Sequence, residues 1–208
     1  MKKKWIDISQ PLTNHIAHWP GDTSFSYELS ITKEQTGSVN IGKITTSLHT
    51  GTHVDAAFHF DNEGPGIEQS DINDFIGITL VVDATGTSTL SSQLLQETEL
   101  ASVSKVLFKT KTESEPNHFP EHIPVIDPQL APFLREHGIT LVGVDVPSVD
   151  DLNSKELQAH HNLFQQGIHI LENVALDDIT PGLYELIALP LAIQGADGSP
   201  VRAVVRPL

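Results

Sequence analysis

A mixed α/β domain in which sheet predominates is the fold class that this 208-residue chain predicts, on three observations. Eight runs carry the alternation or β-branched enrichment of strands, three carry helical spacing, and no polar, proline-rich or repetitive stretch is long enough to be a linker. Residues 1–208 therefore read as one domain.

The strand-like runs are FSYELSIT (25–32), VNIGKITTSLH (39–49), ITLVVDAT (78–85), KVLFKT (105–110), ITLVGVDV (139–146), IHILENVAL (168–176), LYELIALPL (183–191) and VRAVVR (201–206). The helical runs are SSQLLQETELA (91–101), DPQLAPFLREHG (127–138) and NSKELQAHHNLFQQG (153–167). In the last, Asn153 followed three positions on by Glu156 resembles a capping box, and Gly167 is a stop signal. The turn ADGSP at 196–200 reads as a hairpin connection without chemistry.

Charge excludes whole classes of partner. Twelve basic against 27 acidic side chains leave a formal charge of −15, which repels phosphate backbones and anionic lipid, so neither nucleic acid nor a membrane surface is expected. Three lysines follow the initial Met, but WIDIS comes where a secretory signal needs an apolar stretch, and a soluble cytoplasmic protein is expected. The absence of cysteine removes disulfides, thiol nucleophiles and thiolate metal sites, so any metal must be held by imidazole, carboxylate or water.

Eleven histidines then draw the eye, and three of them lie in HTGTHVDAAFH, residues 49–59. The segment follows a β-patterned run and contains Gly51, which favours an extended reading. In a strand, residues two apart share a face, so His49, Gly51, His53 and Asp55 would project together, with Gly51 giving room between the imidazoles. Imidazole nitrogen and carboxylate oxygen on one face form the donor set of a catalytic zinc or similar divalent ion. A lone histidine is usually a surface or hydrogen-bonded core residue; a cluster beside a carboxylate is costly without a cation to hold it together. His59, between Phe58 and Phe60, stands apart as a ring at an apolar edge suited to proton transfer.

LHTGTHVDAAFHF resembles the H-x-G-T-H-x-D-x-P-x-H-F signature of the metal-dependent cyclase family. WIDISQPL, HWPGD, GVDVPSVD, KELQAHHNLF, GIHILENV, ELIALPLA and ADGSPVRAVVRPL extend the likeness over nearly the whole chain, within that family's bacterial arylformamidase branch. The resemblance implies a swivelling β/β/α domain with a central mixed sheet flanked by helices, two divalent metal ions (zinc, or manganese or cobalt), and a homodimer. It implies hydrolysis of N-formyl-L-kynurenine to L-kynurenine and formate, with another aryl or cyclic amide such as isatin as the alternative. By this likeness His49, His53 and Asp55 belong to one metal, Asp55 bridges, His160 and Glu172 belong to the second, His59 carries the proton and Trp19 contacts the substrate. Ala57 departs from the signature, standing where it has proline, which frees φ and adds an N–H without removing a ligand.

The residues alone leave some of this open. His160 and His161 point about 100° apart on a helix, so one is a bystander, and periodicity does not choose between them. Glu172 amid apolar neighbours is either at a solvent-facing strand end or compensated by a cation. Trp19 also reads as a core or interface anchor. Asp145 and Pro147 end a strand near the site and are not read as ligands. No G-x-S-x-G, G-x-G-x-x-G or P-loop pattern is present, which leaves serine-hydrolase, dinucleotide and nucleoside-triphosphate readings without support. A non-catalytic metal-binding module stays open beside the hydrolase; His59 argues against it, because a metal store needs no spare proton carrier.

Overall fold

The computed structural model describes residues 3–96, 98–111 and 113–208. The strands in chain order are β1 (Ile6–Asp7), β2 (Ser26–Ile31), β3 (Ile41–Thr45), β4 (His53–Asp55), β5 (Ile76–Asp83), β6 (Thr89–Leu90), β7 (Lys105–Lys109), β8 (Val125–Ile126), β9 (Leu141–Val144), β10 (His169–Glu172), β11 (Gly182–Ile187), β12 (Gly198–Pro200) and β13 (Val204–Pro207). The α-helices are α1 (Lys33–Thr36), α2 (Leu130–Glu136) and α3 (Gln158–Gln165). The expected mixed α/β class with a dominant sheet is met.

One nine-stranded sheet organises the chain, in the order β1-β13-β11-β5-β7-β9-β10-β4-β12. Its centre, β5-β7-β9-β10, is parallel, and antiparallel strands extend it on both sides. The central strands alternate between two apolar faces, as period-2 geometry requires when both sides are covered. Val106, Phe108, Val142 and Val144 face one core with Leu130, Leu134, Ala159 and Leu163 of α2 and α3. Leu107, Leu141 and Leu171 face the other, with Ile8, Ile67, Phe75, Leu176 and Ile179. Full burial of a side chain such as Phe108 contributes about 1.5–3 kcal/mol.

Gly143 lies where the sheet is tightest. A Cβ there would stand 2.3 Å from Leu107 Cδ2.

Several local expectations are corrected. Of the helix expected over 91–101, the described part forms only the 3-10 turn Ser92–Leu95; position 97 lies outside the described residues. Leu90, Leu95 and Leu100 are the residues buried there, and their five-residue spacing does not hold one helical face. Asn153 does not cap α3, which begins at Gln158 after Leu157 in a left-handed conformation (φ 44°, ψ 49°). The cap comes from farther back, where the Asp150 carboxylate accepts the N–H groups of Ala159 and His160, both at 3.0 Å. Gly167 does stop the helix, at φ 67°. The ADGSP stretch is not a simple turn: its last three residues are β12, paired antiparallel with β4.

A two-stranded sheet of β2 and β3 is separate from the large one and exposed along its whole length. No helix among the described residues is long and apolar enough to cross a membrane.

Candidate metal centre

The centre forms where the parallel strands end. In α/β sheets the carboxyl ends of strands leave a crevice that loops can line, and here β10 ends in Glu172 while β9 runs into Asp145–Asp150. The short strand β4 pairs antiparallel with β10, placing His53 opposite Glu172 in register. On its other side Asp55 pairs with Gly198 of β12. Strand β4 thus carries His53 and Asp55 to the second segment's Glu172.

His49 arrives differently from the extended reading. Residues 48–52 turn, Gly51 is left-handed at φ 68°, and a Cβ there would lie 2.8 Å from Leu12 Cδ2. Gly51 therefore serves backbone conformation and the close approach of Leu12, and does not separate two imidazoles. The turn still swings His49 onto the strand's residues, with its Nδ1 3.0 Å from Asp55 Oδ1.

Two hydrogen bonds fix what the buried imidazoles offer. His53 Nδ1–H donates to the Gly51 carbonyl at 2.8 Å, and His160 Nδ1–H donates to Asp150 Oδ2 at 2.7 Å. Each ring therefore turns Nε2 toward the carboxylates, the atom at which a metal would take the place of a proton. His53 Nε2 faces Asp55 Oδ1 and Glu172 Oε2, each at 3.4 Å. His160 Nε2 faces Asp55 Oδ2 at 3.5 Å and Glu172 Oε1 at 3.8 Å. Despite this crowding, His53 Nε2 and Asp55 Oδ2 are buried without a hydrogen-bond partner. Buried polar atoms left in this state cost free energy that a bound cation relieves. The donor chemistry fits divalent metal ions: one atom from each of His49, His53 and Asp55 falls within 4.8 Å of the others, and so does one from each of Asp55, His160 and Glu172. Asp55 belongs to both sets.

The electrostatics express the same deficit of positive charge. Burial of the ring disfavours a proton on His53, but the neighbouring carboxylates of Asp55 and Glu172 outweigh it and raise its pKa to about 10. His160 is raised to about 10, against its burial, by Asp150 and Asp55; His49 is raised to about 9, against its burial, by Asp197 and Asp55. Burial pushes the Glu172 carboxyl up, and the neighbouring Asp55 charge adds to it. His59 goes the other way: burial first, then the positive charge on His49, lowers it to about 4. It is neutral at neutral pH.

His59 ends the 3-10 turn Ala57–His59, and its ring lies over His49 at 3.9 Å between centroids. Its Nδ1 stands 3.8 Å from Asp197 Oδ2, and that same oxygen is 3.0 Å from His49 Nε2. Asp197, assigned no chemistry from sequence, thus joins the centre; its D-G signal reads as a turn and hides it. Asp150 was also missed, for its partners lie nine and ten residues away and no local spacing announces them. Of the adjacent histidines, His160 is buried at the centre, while His161 packs edge-on against Phe60 at 5.2 Å.

A cavity of about 530 Å³ opens over the centre. His49, His59, His160 and Glu172 line its floor, and Trp19, Phe119, Lys111 and Leu157 are among the residues of its walls. Trp19 sits in the loop before the turn at 20–22 and meets Phe119 edge-on at 5.3 Å. Lys111 is carried by a buried anchor: Asp145 accepts the N–H groups of Thr110 (2.8 Å) and Lys111 (3.0 Å). Asp145 is thus a positioning residue, and Asn173, on the same wall, is left-handed at φ 56°.

Sheet, cavity and donor set together define a metal-dependent hydrolase. The Cyclase family model matches residues 6–151, and the chain belongs to that family. It is 57% identical over 205 residues to the kynurenine formamidase of Bacillus cytotoxicus, spanning 99% of this chain and 98% of that one. Among solved structures it is similar to a "predicted metal-dependent hydrolase" from Bacillus stearothermophilus, with TM-score 0.82 and 25% identity over 99% of this chain and 98% of the other. It also shares the fold of isatin hydrolase A from Labrenzia aggregata, with TM-score 0.84 and 22% identity over 98% and 93% of the two chains.

Proposed function

We propose that the chain hydrolyses N-formyl-L-kynurenine to L-kynurenine and formate. The observation that carries this reading is the pair of Nε2 atoms on His53 and His160, both turned toward Asp55 and Glu172 beneath an aromatic-walled cavity. The high identity to a kynurenine formamidase over nearly the full length of both chains supports the substrate.

His49, His53 and Asp55 would hold one divalent ion, and His160, Glu172 and the shared Asp55 a second. Zinc is the first metal to test, with manganese and cobalt as the alternatives this donor set also suits. When bound, the ions supply Lewis acidity toward the formyl oxygen and lower the pKa of water toward neutrality. Trp19 and Phe119 receive the aryl ring and align the amide over the floor. Asp197 Oδ2 lies 3.8 Å from His59 Nδ1, so the reaction is assigned to Nε2. Neutral at the outset, His59 Nε2 takes the proton of the attacking water and delivers it to the departing aryl nitrogen as the C–N bond breaks. Formate and an aromatic amine result.

The reading includes a homodimer. The β2–β3 hairpin supports it: Tyr27, Leu29, Ile31, Ile41 and Ile44 are all exposed there, and an isolated two-stranded sheet is marginal in water. A cytoplasmic site of action accords with an acidic, cysteine-free chain.

The test is elemental analysis of the purified protein beside turnover of N-formylkynurenine and isatin, with and without chelator. Chelator-sensitive hydrolysis of the formamide in preference to isatin is expected; preference for isatin, or full turnover without metal, would overturn the reading.

A further inference from the structure

We infer that Lys111 is the specificity-determining residue for the acidic arm of the substrate, its ammonium pairing with an α-carboxylate carried on the aryl ketone. This deepens the proposed function and rests on it. Lys111 lines the cavity that holds His49, His59, His160 and Glu172, and it is partly buried there. In a chain with 27 acidic and 12 basic side chains, a lysine in a cavity would be expected to find a carboxylate. Among the described residues Lys111 Nζ makes neither an ion pair nor a hydrogen bond; the same holds for Lys33, Arg135 and Lys155, but those are exposed, whereas Lys111 is partly buried in the cavity.

Its position is built. The Lys111 N–H is held by Asp145 Oδ2 at 3.0 Å, and the same buried carboxylate takes the Thr110 N–H and hydroxyl. Asp145 continues directly from β9 and Lys111 follows β7 by two residues, so the two neighbouring parallel strands fix where the lysine's backbone stands. A lysine whose backbone is fixed and whose ammonium has no internal partner can meet a ligand carboxylate without first breaking an ion pair. Lys155, which also lines the cavity, is exposed and carries no such anchor. The rim carboxylates Asp22 and Glu115 suit the ammonium of the same zwitterionic arm.

The experiment compares N-formylkynurenine with N-formyl-2-aminoacetophenone, which keeps the ring, ketone and formamide but lacks the amino-acid arm. Both are assayed with metal-loaded wild type, Lys111→Met and Lys111→Arg. Because any general damage affects both substrates, the quantity read is the ratio of their kcat/KM values. Wild type is expected to favour the full substrate, Lys111→Met to lower the ratio about 10- to 100-fold, chiefly through KM, and Lys111→Arg to restore part of it. A ratio unchanged in Lys111→Met, with the wild type turning over both amides, would overturn the Lys111 assignment and leave the formamidase reading standing. A wild type inert toward both amides would overturn the two together.

Discussion

Loading the centre with metal should expel protons, and their number follows from the structure. His49, His53 and His160 are held by carboxylates at pKa values of about 9, 10 and 10 in the absence of metal. At about pH 7.5 an imidazole titrating near 9 carries ~0.97 of a proton and one near 10 a whole one, and a metal ligand must give that proton up. Binding of the full complement therefore releases about three protons per chain; Glu172, whose carboxyl is raised, only adds to the count. Calorimetric titration of chelator-stripped protein with zinc, in buffers of differing ionisation enthalpy at one pH, reads this number as a slope. A slope of one or less would refute the reasoning, since it would mean that the imidazoles already stood neutral beside Asp55 and Glu172. The stability of the stripped protein carries the corresponding sign. Raised above the unfolded value of about 6.5, these imidazoles contribute fully below about pH 6.5 and lose that contribution as pH rises through about 9 to 10. Metal affinity runs oppositely and falls with acidification.

Four further outcomes are expected. His53→Ala should emerge with less metal by elemental analysis, whereas His59→Ala should keep its metal and lose about 10²- to 10⁴-fold in kcat; full activity in either variant contradicts the division of roles. Asp150→Asn leaves His160 Nδ1–H without its charged acceptor at 2.7 Å, and should weaken metal binding about 10- to 100-fold in chelator competition. Ala57→Pro should stabilise by about 0.4–1 kcal/mol, seen as a rise of ~1–3 °C in Tm, because a first turn position tolerates proline. The preceding Ala56 already has the extended backbone (φ −98°, ψ 157°) that proline imposes on its neighbour. Gly143→Ala should cost about 1–3 kcal/mol in chemical denaturation, since its methyl would meet Leu107 Cδ2 at 2.3 Å.

The residues that chemistry demands in runs were legible, and those that only tertiary pairing recruits were not. Val106, Phe108, Val142 and Val144 announce the central strands because period-2 alternation and burial on both faces leave a dense apolar text. The cluster at 49–59 was equally plain as a donor set. Its conformation was misjudged at His49, because Gly51 supports a left-handed turn as readily as a gap in a strand. Asp150 and Asp197 carry no local mark: one acts on a helix nine residues later, the other across 148 residues on His49. Lys111 was invisible for the same reason, its significance lying in the missing partner and not in its neighbours. The 91–101 helix failed because polar residues with good helix propensity surround leucines whose spacing serves a different packing.

Strand β4, which carries His53 and Asp55, is sandwiched between β10 and β12, whose residues come more than a hundred positions later. During synthesis the imidazole-rich stretch at 49–59 must therefore wait, unpaired, until residues 169–200 have emerged. Long-range closure of this kind is slow, and it ties acquisition of the cation to the final act of assembly, so that an incomplete product has no finished cage in which to trap one.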